Sequence, residues 1–465
     1  MSDLIPVTIK YPGTETPYWI VEVSQIFDGT AAVELVGGGE RISVNGEPVP
    51  ELEDTKQQKR WLYLKLREIT GYRSPWGCLT GIRPAKLINM MSDSGMSDGE
   101  IQEEFTRFYC VSPEKTALAM ETARIQAPFL QRTDEKIVDW YANMPFCPSR
   151  CLYCSFTSNS IDKYKKSVDA YLDAMEEELA AATELFGKMA ARSETLYLGG
   201  GTPTSLNETQ FARYISMFGR YIDVGSLQEF SLEAGRPDSI TPAKLEAAAR
   251  AGVTRISINP QTMNDITLKR IGRAHTAKQV VQAFQMARAA GFRNINMDVI
   301  AGLPFETTEM FRYTMEQIAE LDPEGMTVHT LSIKRAAELK TDSENRAALS
   351  RDAAGEMVNM GRAYAAKMSM RPFYMYRQKH MLGNHENVSY CKPGFESPYN
   401  IHIMEEDRTI IGIGAGAVTK AVFPEGRIER AFNVKSVEYY LERLPEMIER
   451  KEKLLNGLFR EGDCI

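Results

Sequence analysis

The chain has 465 residues, too many for one ordinary core, so two or three domains are expected. Its composition is that of a soluble globular protein, and its longest apolar runs fall far short of the roughly 18 residues a membrane helix needs. A formal net charge of −7 and the lack of any basic stretch shaped like a phosphate track argue against nucleic acid as a partner, so an anionic small substrate would need a local basic pocket.

The opening MSDLIPVTIKYPG has no basic start followed by an apolar region, so no secretory signal is read there and the expected location is cytoplasmic. The first fifty residues alternate in strand fashion, in PVTIKY, YWIVEVSQIF and AAVELV, between Gly and Pro turns. From Asp54 the pattern turns helical, through KQQKRWLYLKLREITGY and on to KTALAMETARIQAPFL. Between these helices lies SPWGCLTGIRPAKLI, a loop flanked by Arg73 and carrying Arg83 and Lys86. Residues 1–130 read as an N-terminal α+β accessory domain.

Over residues 131–340 the texture becomes regular. The apolar strands VDWYANM, TLYLGG, EFSLEA, RISINPQ, NINMDVIAGL and MTVHTLSI are separated by helices beginning near Asp162, Glu208, Pro242, Ala277 and Thr308. Six strands alternating with helices predict an α/β fold with a parallel sheet, most simply a partial (β/α)6 barrel, whose chemistry sits at the C-terminal strand ends. Residues 341–465 read as a smaller C-terminal accessory domain: a helix, Gly/Pro-rich irregular sequence, a strand–turn pair and a closing helix.

Of seven cysteines, Cys147, Cys151 and Cys154 fall within eight positions in NMPFCPSRCLYCSF, and the other four are scattered singly. An odd, uneven count argues against a disulfide framework. A structural zinc site takes four protein ligands, and redox chemistry of the Cys151–Cys154 pair leaves Cys147 idle. A [4Fe–4S] cluster usually takes four thiolates; with three, one iron keeps an open coordination position where a cofactor can bind. A partial zinc or redox site is the plainer alternative. Downstream, LYLGGGTPTSL offers Gly200 and Gly201, where the backbone can approach a ligand, and the Thr202 hydroxyl. Glu233 ends the strand EFSLEA, Gln261 and Arg273 lie twelve residues apart, and Asp298 sits on the fifth strand. Each alone could be a satisfied structural polar group.

The C-x-x-x-C-x-x-C run directly after the first barrel strand resembles that of the radical S-adenosylmethionine (SAM) superfamily. The resemblance implies a cluster on Cys147, Cys151 and Cys154 whose open iron chelates SAM, and reductive cleavage of SAM to methionine and a 5′-deoxyadenosyl radical. It further implies a SAM contact at Gly200, Gly201 and Thr202, and a SAM-holding carboxylate at Glu233. Tyr141, six residues before Cys147, Tyr153 between the last two cysteines, and Gln261, Arg273 and Asp298 match the oxygen-independent coproporphyrinogen III oxidases (coproporphyrinogen dehydrogenases). PWGCLTGIRPAKL resembles the HemZ-type branch of that family. Tyr141 and Glu233 are then the expected catalytic residues. The implied partners are coproporphyrinogen III or a related tetrapyrrole and a flavodoxin- or ferredoxin-type reductant, a second SAM molecule is left open, and a monomer is expected.

The implied reaction converts two propionates to vinyl groups, giving protoporphyrinogen IX. A tetracarboxylate needs cationic partners, for which Arg83, Arg236, Arg335 and Arg377 are candidates. Two departures stand out: Asn143 replaces a frequent histidine, and Phe156 replaces a fourth cysteine. Phe is also found there in the haem-chaperone relatives, whose H-N-x-x-Y-W motif is replaced here by SPYNIHIM. A haem-binding or haem-delivery protein is thus one alternative, with His380, His385 and His402 as possible ligands. A radical SAM tetrapyrrole methyltransferase or ring-opening enzyme is another. The Gly-rich GIGAGAVTK reads as a turn closing over the cofactor rather than a nucleotide loop.

Overall fold

A computed structural model describes residues 4–130, 137–155, 159–187, 191–334, 337–423 and 426–462. They form two compact units: residues up to Arg124 with Met375–Glu386, and Ile125–Tyr374 with the chain from Asn387 onward.

The first unit contains a four-stranded sheet in the order Ala31–Val36, Ile5–Lys10, Ser43–Val44, Glu47–Pro48. The first two of these strands run parallel, Ile5 opposite Ala31. Parallel neighbours require a crossover, and YWIVEVSQIF, expected as a strand, supplies it as the helix Tyr18–Ile26. Its buried residues Ile20, Val23, Ser24 and Ile26 keep helical spacing, a pattern masked by its β-branched and aromatic content. The helix Thr55–Thr70 is capped by Asp54, which accepts from the Gln57 amide at 2.8 Å, and stops at Gly71 in the left-handed conformation. The segment Met375–Glu386 is anchored here by Glu386, which accepts from Trp76 Nε1 at 2.7 Å and pairs with Lys115 at 2.5 Å.

The second unit is built on six parallel strands in sequential order: β1 (Ile137–Met144), β2 (Arg192–Gly200), β3 (Glu229–Glu233), β4 (Arg255–Ser257), β5 (Ile295–Ala301) and β6 (Gly325–Thr330). Antiparallel β7 (Asn387–Cys391) adds to β6. On the other edge β8 (Thr409–Ile413) runs parallel to β1 and leads into antiparallel β9 (Val418–Val422) and β10 (Ile428–Phe432). Helices begin where their caps predict: Asn207 before Glu208–Phe218, Thr241 before Pro242–Arg250, a Thr276/Gln279 capping box before Ala277–Ala289, and Thr307 before Thr308–Leu321. The first long helix starts at Val168 instead of near Asp162, because only from Val168 do apolar residues (Tyr171, Leu172, Met175) recur with a helical period; Ile161–Tyr164 is a single turn.

The two faces of the barrel sheet differ in kind. Trp140, Leu196, Leu198, Phe230, Leu232, Ile256, Met297, Val299, Met326 and Val328 make one face fully apolar. The alternate positions are polar and mutually bonded. Thr195 donates to Asp139 at 2.6 Å, Tyr197 to Glu233, Asn296 to Asp298 at 2.7 Å and Thr327 to Asn296 at 3.3 Å. Such a face is tolerable in a buried lumen only because its members satisfy one another.

Residues 341–465, read from the sequence as a third domain, are shared between the units. Met375–Glu386 belongs to the first, and the remainder extends the barrel. Buried Glu178, on the helix Val168–Gly187, is the reason. It accepts from the Gly414 amide at 2.6 Å, Tyr440 Oη at 2.6 Å and Asn433 Nδ2 at 2.7 Å, and pairs with Lys451. Gly414 has φ +97°, and a Cβ there would lie 2.6 Å from both the Asn143 carbonyl and Tyr171 Oη. Gly414→Ala is expected to lower stability by about 1–3 kcal/mol, read as a lower urea midpoint; an unchanged midpoint would show that the turn does not pack as described.

Candidate functional site

The loop after β1 carries the three thiols. Phe146–Cys147 pairs with Asn159–Ser160, and the Cys154 amide donates to the Cys151 carbonyl at 3.0 Å, closing a turn that presents the sulfurs. Three thiols on one short loop are one ligand short of a closed tetrahedral zinc site, whereas on a four-iron cluster they leave one iron with an open position. Burial pushes the Cys147 thiol up to about 11, so a thiolate there calls for a cationic partner. Phe156 lies outside the described residues.

The glycines after β2 sit hard against this loop. The Gly201 amide donates to the Met144 carbonyl at 2.6 Å, and the Thr202 amide to the Phe146 carbonyl at 2.7 Å. A Cβ on Gly201 would stand 2.6 Å from that carbonyl and 2.9 Å from Cys147 Sγ, while Thr202 Oγ1 lies 3.5 Å from the same sulfur. Only glycine permits this approach.

Arg273 ties the strand ends together. Its Nη1 donates to the carbonyls of Gly235 (2.9 Å) and Asn259 (2.8 Å), and its Nη2 to Tyr153 Oη (3.0 Å). Tyr153 and Leu152 also pack on the apolar cluster of Leu268, Ile271, Ile300, Leu303, Leu331 and Leu339. Gln261 sits at φ +65°, held by its amide donating to the Asp298 carbonyl (2.9 Å) and its carbonyl accepting from the Ile300 amide (3.0 Å). Gln261 Oε1, Asn259 Oδ1 and Arg273 Nε are buried with no partner among the described residues, as expected of groups reserved for a polar ligand.

Glu233 ends β3, accepting from Tyr197 Oη and from Asn259 Nδ2 at 3.2 Å. Burial, and then the charge of Asp298, push its carboxyl above the usual range. Burial acts on Asp298 in the same direction, but His329 at 3.5 Å together with Asn296 and Thr327 outweighs it and holds Asp298 low. Tyr141 stacks on Tyr197 and Tyr399, with ring centroids 6.4 and 6.2 Å away, and donates to Asn143 Oδ1 at 3.0 Å. Asn143 Nδ2 in turn donates to the Ala415 carbonyl at 2.5 Å. The Gly-rich turn at 414–416 therefore closes on the end of β1, through the side chain that stands where a histidine was expected.

The structure thus gathers Cys147, Cys151, Cys154, Gly200, Gly201, Thr202, Glu233, Gln261, Arg273, Asp298, Tyr141 and Tyr153 at the C-terminal ends of β1 to β5. Reading by motif missed Tyr197, Tyr399, Asn259, Asn296 and His329, which complete the polar lumen. The strand alternation places Tyr197 opposite Tyr141, a signal available in TLYLGG. The substrate arginines fare differently. Arg377 is buried in the first unit, its fork spent on the Leu79 carbonyl and on Asn384 Oδ1 at 2.8 Å, with its guanidinium 5.2 Å over Trp76, so it is corrected to a structural residue. Arg236 is 3% exposed and turned toward the cysteine loop. Arg83 opens the helix Pro84–Asp93, and Arg335 lies outside the described residues. His402 is buried against Asp139 at 2.9 Å, which leaves it badly placed as a haem ligand.

A model of the Radical SAM superfamily matches residues 143–318. The oxygen-independent coproporphyrinogen-III oxidase-like protein HemZ of Bacillus subtilis is 39% identical over 88% of this chain and 84% of its own length. The chain belongs to the radical SAM superfamily, in the HemZ family. The heme chaperone HemW of B. subtilis is 32% identical over 66% of this chain and 76% of its own. Among solved structures, the Escherichia coli coproporphyrinogen III oxidase HemN, a radical SAM enzyme, aligns with a TM-score of 0.55 at 23% identity, covering 70% of this chain and 73% of that one. The partial barrel is therefore the fold of this superfamily, whose members take a [4Fe–4S] cluster and SAM.

Two substitutions probe the site's scaffold. Arg273→Ala strands two buried carbonyls and Tyr153, and is expected to cost about 3 kcal/mol in chemical denaturation, with Arg273→Lys recovering only part because it lacks the fork. Glu306, 7% exposed, accepts from Thr262 Oγ1 at 2.5 Å and Asn264 Nδ2 at 3.1 Å, bracing the loop that carries Gln261. Burial raises its carboxyl from the ordinary 4.5 to about 7. Its protonated form therefore contributes stability that is complete below about pH 4.5 and is lost as pH rises through about 7. Glu306→Gln cannot ionise, so from about pH 5 to 8 it should gain up to about 3 kcal/mol on the wild type, measured by urea midpoints at the two pH values.

Proposed function

We propose that the protein is a radical SAM coproporphyrinogen III dehydrogenase, oxidatively decarboxylating two propionates to vinyl groups. The observation that carries this reading is the convergence of the three-thiol loop, the Gly200–Thr202 backbone and a polar lumen with unpartnered buried atoms at one set of strand ends. The similarity to HemZ over most of the chain supports the tetrapyrrole substrate class. Cys147, Cys151 and Cys154 would hold the cluster. The Arg273 fork, Gln261 and Glu233 would orient SAM, with Gly201 giving the backbone clearance it needs.

A cluster held by Cys147, Cys151 and Cys154 and SAM oriented by Arg273, Gln261 and Glu233 would together supply radical hydrogen abstraction at a propionate β-carbon, the electron released with CO₂ passing to an external acceptor. The chain's part is to orient and to exclude water. Tyr141, Tyr197 and Tyr399 stack on one another as an aromatic wall beside the buried lumen, which would keep water from the reacting groups. Glu233, pushed toward its neutral form, can share a proton with Tyr197 without adding a second full charge beside Asp298.

The second reading, a haem-binding protein without turnover, is favoured by the similarity to heme chaperone HemW. One experiment separates the two: anaerobic reconstitution and reduction, then SAM with coproporphyrinogen III, followed by mass spectrometry and haem titration. The dehydrogenase reading expects 5′-deoxyadenosine and loss of two formic acid units from the tetrapyrrole, both abolished in Cys151→Ser. Deoxyadenosine with an unchanged tetrapyrrole would overturn the substrate assignment, and stoichiometric haem binding without turnover would establish the alternative.

A further inference from the structure

Arg236, in the loop after β3, is one of the most deeply buried cations of the second unit, and the proposed chemistry at the lumen does not use it. Its Nη1 lies 3.8 Å from Cys151 Sγ and donates to the Ser149 carbonyl at 3.3 Å, while Nη2 donates to Ser149 Oγ at 3.1 Å. Ser149 Oγ in turn donates to the Gly272 carbonyl at 2.9 Å, fixing this part of the loop. The other edge of the guanidinium is held by Asp238, with Nε and Nη2 each 3.1 Å from a carboxylate oxygen. His275, 2% exposed, stands behind with Nδ1 3.6 Å from the same carboxylate. The guanidinium is thus locked with one N–H edge aimed at a single cysteine of three.

We propose that Arg236 is a positioning residue that sets the reduction potential of the cluster: its charge and its N–H against Cys151 favour the reduced state, and Asp238 attenuates that effect. The inference rests on the reading that the three cysteines hold a [4Fe–4S] cluster. Such potentials follow the charge near the cluster, hydrogen bonds to its sulfurs and solvent exposure. A buried guanidinium beside a thiolate supplies the first two, and its electrostatic effect is large where water is excluded. Reduction adds one electron to the cluster and takes no atom from Arg236, so the arginine shifts the equilibrium without being consumed. Asp238 opposes it by bringing a compensating negative charge to the same guanidinium.

The test is an EPR-monitored redox titration of reconstituted wild type, Arg236→Gln, Arg236→Lys and Asp238→Asn, with iron and sulfide content measured on each. Arg236→Gln should be about tenfold harder to reduce, a downward shift of about 59 mV for a one-electron couple. Arg236→Lys, keeping the charge without the fork, should fall between wild type and Arg236→Gln. Asp238→Asn, which uncovers the charge, should move the potential upward. The opposite signs are the discriminating result, since a merely structural disturbance would move both variants the same way. Should Arg236→Gln fail to load a cluster, the upward shift of Asp238→Asn carries the test alone. Loaded variants with wild-type potentials, or shifts of one sign, would overturn the proposal. Wild type without a four-iron signal would instead overturn the cluster reading on which it rests.

Discussion

The fork of Arg273 is the interaction on which the arrangement of the site depends. Three chain segments that are far apart in sequence end on one guanidinium: the cysteine loop through Tyr153, the turn after β3 through the Gly235 carbonyl, and the turn after β4 through the Asn259 carbonyl. None of these is a strand, and none has a regular ladder to fix it. A lysine could reach one of them; only a rigid planar donor can satisfy three at once. The free Nε on the same group shows that the arginine is not fully spent on the scaffold.

That bracing matters because the lumen beneath is costly. Placing Glu233, Asp298, Asn296, Thr327 and Tyr197 on the inner face of a sheet forfeits the apolar burial that the outer face enjoys, and each polar group must find a partner before the fold is stable. The partners come from neighbouring strands or from the next inward position on the same strand: Tyr197 for Glu233, Asn296 two residues along β5 for Asp298, and Ser389 of β7 for Thr327 at 3.0 Å. The added strands on both edges are therefore part of the lumen's construction. The Glu178 hub does the same on the opposite flank, fastening the C-terminal segment to the barrel's first long helix.

Much of this was legible in the sequence where a local rule was sufficient. Thiol spacing, a glycine run after a strand and N-cap residues each act within a few positions, so the cluster loop, Gly200–Thr202 and four helix starts could be read directly. What escaped reading depends on pairing. Tyr399 comes from sequence that looks like an accessory domain, and only the helix Pro398–Glu405 brings it against Tyr141 and Tyr197. Arg377 was a candidate substrate ligand because a tetracarboxylate needs cationic partners; its carbonyl partners lie about three hundred residues away in sequence. The segment Tyr18–Ile26 was misread because β-branched and aromatic residues mask a helical period, and parallel pairing on either side of it decides the matter.

The two lumen carboxylates show how such pairing turns into chemistry. Glu233 and Asp298 start from similar intrinsic acidities and share one buried, low-dielectric space, where two full negative charges cannot coexist cheaply. The protein resolves the conflict asymmetrically. Asp298 receives His329, Asn296 and Thr327, all able to donate, while Glu233 receives Tyr197 and Asn259 and, among the described residues, only the more distant charge of Arg255 as a cation. The proton is thereby driven toward Glu233 and the charge toward Asp298. Environments that push two acids apart in this way are how one site keeps a proton donor and an anion side by side at neutral pH. In an acidic chain, that division leaves the barrel a polar but not strongly anionic wall, while Arg236 and Arg273 keep positive charge at the cysteine loop above it.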